Sequence, residues 1–285
     1  MQPNLLNAIK NIVDFNDNDL KEYSTAYQIR INAVGEQLEY YLKDAFSGAF
    51  KANLAKKEEM HNEVFSYLGN QNNPPDVILK GGDAFEIKKV GRVDSTLALN
   101  SSCPKDRLHH DDVRITDACK NCEGSPWNEK ELFYVVGYTN GGKIKHLFFV
   151  HGRCYAAERK VYAKIFDPLK KEVATTIASL GFETGETQEL GKVRRVDPLG
   201  ITELRVRGMW SIQNPVRVFS GLCPIDESKE FSLVVLLTKS RYDSFSKSER
   251  ETIEKDNRIN VSDVKVKDPN NPAKSIDAKL ITAGW

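Results

Sequence analysis

The sequence predicts a mixed α/β fold, and three observations carry that expectation. Residues 26–47 place Ile31, Val34, Leu38, Tyr41, Leu42 and Ala45 at helical spacing. Two pairs of apolar runs are joined by Gly-rich turns: "DVILK" to "AFEIKKV" across Gly81-Gly82-Asp83, and "ELFYVVGYT" to "KIKHLFFVHG" across Asn140-Gly141-Gly142. A second helical pattern, "YAAERKVYAKIFDPLKKEVATTIASLG", follows the second hairpin and is expected to break near Pro168.

The remaining elements follow in order. A polar helix is expected over 51–68, ended by the Asn, Gln and Pro residues between Gly69 and Pro75. Residues 100–128 are polar and irregular. "ITELRVRGMW", "PVRVFSG" and "FSLVVLLTK" read as strands, "FSKSERETIEK" as a short helix with a Ser cap, and the last twenty residues as irregular or an edge strand. With no repeat, low-complexity tract or linker, one domain spanning 1–285 is expected.

Composition narrows the class. Of 285 residues, 40% are hydrophobic and 28% charged, which suits a globular protein with a full core. The longest apolar runs, "LFFV" and "LVVLL", are too short to span a bilayer. The N-terminal stretch lacks a basic region followed by an apolar one, so a cytoplasmic location is expected. The five cysteines then point to free thiols or metal ligands. A net charge of +1, from 41 basic and 40 acidic residues, gives no global pull on phosphate, so any nucleic-acid contact must be local.

The first hairpin concentrates chemistry. With Gly81-Gly82-Asp83 as a three-residue loop, residue 80 faces 84, 78 faces 86 and 76 faces 88. Alternation then gathers Asp76, Glu86 and Lys88 on one face and sends Val77, Leu79, Phe85 and Ile87 to the other. The second set is wholly apolar, which favours this register over a two-residue loop that would separate Asp76 from Glu86. Two carboxylates meeting there repel unless a cation lies between them. Oxygen ligands suit Mg²⁺, which binds one or two carboxylates with substrate phosphate and water. A lysine beside them balances phosphate charge and orients water, as phosphodiester hydrolysis requires. The same charges on a solvated hairpin would be plain surface.

Asp76 with the Pro before it, and Glu86-Ile87-Lys88, match the PD-(D/E)xK signature of many type II restriction endonucleases. A Gly-bearing helix precedes the motif, with Glu39 on the edge of its apolar face. The flanking text, "GNQNNPPDVILKGGDAFEIKK" and then "ALNSSCPKDRL", resembles the NgoPII-type restriction endonucleases, whose target is GGCC, most plainly over residues 30–155. The resemblance implies a restriction-endonuclease-like core, with a central mixed β-sheet flanked by helices, over about 26–180. A DNA-contacting decoration would occupy about 181–285. It also implies Mg²⁺ on Asp76 and Glu86, Lys88 positioning or activating water, and Glu39 assisting, with Glu36 as its nearest competitor. Double-strand cuts at a short palindromic G/C-rich site, GGCC being the expected one, would leave 5′-phosphates. The partner would be double-stranded DNA and the palindrome would be matched by a homodimer, in a prokaryotic-type cytoplasm without membrane contact.

Further candidates lie outside the motif. Cys103, His109, His110, Cys119 and Cys122 fall within twenty residues, and Cys119-Lys-Asn-Cys122 is half of a structural zinc site. The other half is ill-defined, so free thiols compete with a Zn²⁺ held by Cys119 and Cys122 to brace a DNA-facing loop. Ser101, Ser102, Lys105 and Arg107 follow the motif and are candidates for phosphate contact. Arg205 and Arg207 would share a strand face while Leu204 and Val206 pack inward. Paired Arg suits guanine O6 and N7 in the major groove, although ordinary surface Arg has the same pattern. Two rivals stand: a nickase or junction resolvase on the same fold, and a non-catalytic zinc-stabilised DNA-binding protein.

Overall fold

The computed structural model describes residues 3–21, 23, 34–70, 73–183, 185–226 and 228–285. Helices α1 (Leu5–Phe15), α2 (Val34–Ser47) and α3 (Leu54–Val64) precede strands β1 (Phe65–Asn70), β2 (Asn73–Leu79) and β3 (Ala84–Val90). Short strands β4 (Leu97–Asn100) and β5 (Arg107–His109) lead to the hairpin β6 (Glu129–Asn140) and β7 (Lys143–His151), then to helix α4 (Arg159–Ser179). After β8 (Gly191–Arg194), β9 (Glu203–Val206) and β10 (Trp210–Ile212) come β11 (Ser232–Thr238), α5 (Lys247–Glu254), β12 (Ile259–Asp268) and β13 (Asn271–Gly284).

The main sheet runs β1-β2-β3-β6-β7-β11-β13-β12, with β5 beside β6. The β3–β6 and β7–β11 pairs are parallel and the others antiparallel, so the sheet is mixed, as expected for a restriction-endonuclease-like core. Continuous apolar runs build its centre because both faces are covered. Phe133, Val135, Phe149 and Val235 meet α1 and α2 in one core, while Leu132, Tyr134, Val136, Phe148 and Val234 enter a second core on the opposite face. Gly137 in β6 sets how closely α2 lies on the sheet. A Cβ there would stand 2.6 Å from Leu38 Cδ2, so the backbone approach requires glycine. Glu39 is the next residue on that helix.

Several local expectations are corrected. The helix expected over 51–68 ends at Val64 and β1 replaces its last turn. Phe65 and Tyr67 are buried in opposite cores because a register shift lies between them, which erased the alternation that marks a strand. Helix α4 runs unbroken through Pro168, which costs one rung of a 21-residue helix. "PVRVFSG" begins as a helical turn over Pro215–Val218, because Asn214 caps it by accepting from the Val216 N–H (3.1 Å) with Pro215 in first position. The C-terminal residues form β13, inside the sheet between β11 and β12. Its buried residues, Ala278, Leu280, Ile281 and Ala283, lie only in its second half, so its exposed first half hid it. The part of the expected helix before Val34, residues 26–33 with Ile31, lies outside the described residues.

Candidate active site

Val77 faces Phe85 and Ile78 faces Ala84 across β2 and β3. The loop is therefore Lys80-Gly81-Gly82 rather than Gly81-Gly82-Asp83, closed by Leu79 N–H to Asp83 O (3.0 Å) and Gly82 N–H to Leu79 O (2.9 Å). The slip is of two residues, so every side chain keeps its face. Val77, Leu79, Phe85 and Ile87 enter the core under α1 and α2, while Ile78 and Ala84 enter the opposite one. Glu123 pins the turn from outside: its carboxylate accepts from Gly81 N–H (3.1 Å) and Ser66 Oγ (3.1 Å). Lys130 Nζ, 2.7 Å from Glu123, also donates to Gly82 O (3.1 Å).

Beyond Val77 the side chain of Asp76 bridges the two strands. Its Oδ2 accepts from the Ile87 N–H at 2.5 Å. Burial and the nearby Glu86 push the Asp76 carboxyl well above the usual carboxylate range; Glu39 adds to this, while Lys88 and the Ile87 N–H oppose it. Lys88 Nζ lies 2.7 Å from Glu86 Oε1. Burial disfavours its ammonium, but Glu86, Asp76 and Glu39 outweigh burial and raise its pKa. Glu86 Oε2 is buried without a hydrogen-bond partner among the described residues. Half-buried Glu39 thus acts electrostatically on both Asp76 and Lys88 from the neighbouring helix. The side chain of Glu36 lies outside the described residues. Mutually repelling carboxylates with an orphaned buried oxygen could serve as oxygen donors of the kind Mg²⁺ takes, with the Lys88 ammonium beside them.

These groups open into a cleft of about 620 Å³, bordered also by Ser101, Ser102 and Arg207. Asn100 ends β4 in the left-handed region (φ 51°), turning the two serines to the cleft, and Ser102 Oγ is buried without a partner among the described residues. Lys105 is a correction. Its side chain is buried, its ammonium is 2.5 Å from Asp112, and its backbone N–H donates to Tyr134 Oη (2.7 Å), so it braces the loop and is not offered to phosphate. Arg205 and Arg207 do converge, but on Glu189, which neither motif nor periodicity indicated; Leu204 is 54% exposed, since β8–β9 is a separate two-stranded ribbon with no sheet layer to receive it. Arg114 also borders the cleft unforeseen, lying in the polar stretch.

The cysteine pair does not complete a zinc site. Cys119 is packed in an apolar core, and burial first, then Cys122, pushes its thiol up to about 12. Cys122 takes a contact from Ser66 Oγ at 3.7 Å, His110 packs edge-on against Trp127, and His109 lies 4.0 Å from Glu129. Among the described residues no group of three or more His, Cys, Asp or Glu is arranged around a metal position. Structural zinc needs four. The Cys loop is instead held by Cys119 in the core and by Glu123 on the hairpin turn.

The chain matches the NgoPII restriction endonuclease family over residues 3–267. It belongs to that family. It is 42% identical over 280 residues to the type II restriction enzyme NgoPII of Neisseria gonorrhoeae, covering 98% of this chain and 99% of the relative. Likeness to the NgoPII family therefore extends well past the 30–155 segment in which it was legible. No solved structure matches the chain.

Proposed function

We propose that this chain cuts both strands of DNA, with Mg²⁺, at a short palindromic G/C-rich site, GGCC being the expected one. Membership of the family makes it a type II restriction endonuclease, a site-specific deoxyribonuclease that acts on DNA. No described helix is long and apolar enough to cross a membrane. The observation that carries the site assignment is the convergence of Asp76, Glu86 and Lys88 in one cleft, with Glu39 acting on two of them.

Asp76 and Glu86 would hold the ion, which when bound supplies a Lewis acid that lowers the pKa of a water and offsets phosphate charge. Asp76 is fixed by the Ile87 N–H and Glu86 by Lys88, so both are oriented before substrate arrives. Lys88 is held protonated and offers N–H groups to a phosphate oxygen or to the attacking water. The water oxygen forms a bond to phosphorus, the P–O3′ bond breaks, and the products are a 3′-hydroxyl and a 5′-phosphate. Ser101 and Ser102 border the path of the backbone. A homodimer would match the two-fold symmetry of a palindrome, and the chain would act as a single domain.

The test is plasmid digestion in Mg²⁺ or chelator, with the ends mapped. Discrete fragments bearing 5′-phosphates are expected in Mg²⁺ alone, and sedimentation should give twice the chain mass of 32.2 kDa. Asp76→Ala and Glu86→Ala should not cut, and Lys88→Ala should be slower by about 10²–10³-fold, as for loss of one charge-stabilising donor. Equal cutting in chelator, or undiminished cutting by Lys88→Ala, would overturn these roles.

A further inference from the structure

Glu189 collects two arginines beside the cleft, and it uses them differently. Arg205 lies side-on, giving both Nε and a terminal NH2 to the carboxylate at 3.0 Å each. Arg207 forms an ion pair with the same carboxylate through Nε at 2.7 Å, and among the described residues neither of its terminal amines hydrogen-bonds to Glu189. Glu189 is buried, and its segment is tied down on several sides. Its N–H donates to Thr187 Oγ1 (3.0 Å), Lys170 of α4 donates to Thr187 O (2.8 Å), and Arg114 donates to Gln188 O (2.6 Å). The β8–β9 ribbon is seated hard on α4, since a Cβ at Gly191 would stand 2.6 Å from Val173 Cγ1. Glu189 and Arg207 border the cleft that holds Asp76, Glu86 and Lys88, whereas Arg205 does not.

We propose that Glu189 is a positioning residue for specificity, presenting the terminal edge of Arg207 to a base in the groove, with Arg205 as the counter-charge that keeps Glu189 in place. The inference rests on the nuclease reading above. It follows from planar guanidinium geometry: one edge bound to a fixed carboxylate orients the other edge, which is the one that reads guanine O6 and N7 in a bidentate way. It also separates two arginines that sequence pattern treats alike.

The test uses the full chain, a duplex carrying the mapped cleavage site, and duplexes with single base-pair changes. Cutting is measured for each, and binding is measured in the Asp76→Asn background. Arg207→Ala and Glu189→Ala should each lower discrimination between mapped and altered sites by about 10- to 100-fold, the worth of one bidentate base contact. Their double variant should lose little more. Arg205→Ala, which removes the counter-charge, should loosen Glu189 and lower discrimination in the same direction as Glu189→Ala, by less. Glu189→Gln, which keeps size and one acceptor, guards against a folding defect and should fall between wild type and Glu189→Ala. Unchanged discrimination in Glu189→Ala and Glu189→Gln, or parallel loss on every duplex, would overturn the proposal while leaving the nuclease reading intact if wild type still cuts at one sequence. A wild type without sequence-specific cutting would take both down.

Discussion

Glu86 faces two ways: Oε1 holds the Lys88 ammonium at 2.7 Å, while Oε2 is buried with no hydrogen-bond partner among the described residues. Beside it, Asp76 is driven toward its neutral form by burial and by the charge of Glu86. Without a cation the pair is mutually destabilising, and that is the electrostatic condition under which a divalent ion binds well. The lysine relieves one carboxylate oxygen and leaves the other for the ion or the substrate side of the cleft.

Asp76→Asn isolates that repulsion. The amide oxygen can still accept from the Ile87 N–H, and the charge facing Glu86 is gone. In metal-free buffer the variant should unfold a few degrees above wild type, since relief of active-site strain is commonly worth about 1 kcal/mol. It should also fail to cut. Mg²⁺ should raise the melting temperature of wild type and not that of the variant. A variant that melts below wild type without metal would show that the carboxylates do not strain the fold.

How far the sequence could be read follows the same lines. The hairpin of the candidate site was legible because four apolar residues alternate with three charged ones, and parity survives a slip of two residues. The loop assignment was wrong by one position, because Gly81-Gly82 fits either turn and only the Leu79–Asp83 hydrogen bond decides between them. Strand β1 was illegible because a bulge sends Phe65 and Tyr67 to opposite faces. Glu189 was illegible because its partners Arg205 and Arg207 are 16 and 18 positions away and the ladder between β8 and β9 brings them together. The CxxC looked like half a zinc site because spacing does not reveal that Cys119 points into an apolar core.

Gly137→Ala tests how α2 is placed. The added methyl would meet Leu38 at 2.6 Å, pushing the helix that carries Glu39 away from β6. Overpacking of this kind costs about 1–3 kcal/mol. Denaturant melts should show that loss, and the cutting rate should fall as well if Glu39 assists the site. Adding Leu38→Ala makes room for the methyl, so cutting should recover in the double variant relative to Gly137→Ala. If the double variant cuts no faster than Gly137→Ala, helix placement does not transmit to the site.

His146 supplies a pH dependence away from the active site. It is 3% exposed on β7, near Phe148, and burial lowers its imidazole to about 4. An unfolded histidine titrates near 6.5. Below that value the unfolded chain binds a proton that the folded chain does not, so stability is complete above about pH 6.5 and falls as pH drops toward 4. The contribution is about 3 kcal/mol across the window. His146→Leu should flatten the decline between pH 6.5 and 4.5 in denaturant melts taken beside wild type. Two curves that stay parallel would remove His146 as the cause.

Glu123 does for this loop what a zinc ion on Cys119 and Cys122 was the alternative to do. It follows the CxxC directly, and Lys130 and the Gly81 N–H keep its carboxyl below the usual range despite burial. Glu123→Ala would strand the Lys130 ammonium, whose side chain is only 7% exposed, at a cost of about 3 kcal/mol. It would also release the Gly81-Gly82 turn that sets the Asp76–Glu86 register, so cutting should fall with stability. Adding Lys130→Met removes the stranded charge and should restore much of the melting temperature. Cutting should stay low, because Gly81 still lacks its acceptor. Cys122→Ser should cost no more than about 1 kcal/mol, the usual size of a point change, since the half-buried thiol would hold no metal. If a zinc-selective chelator lowers the melting temperature of wild type, metal and not Glu123 holds the loop.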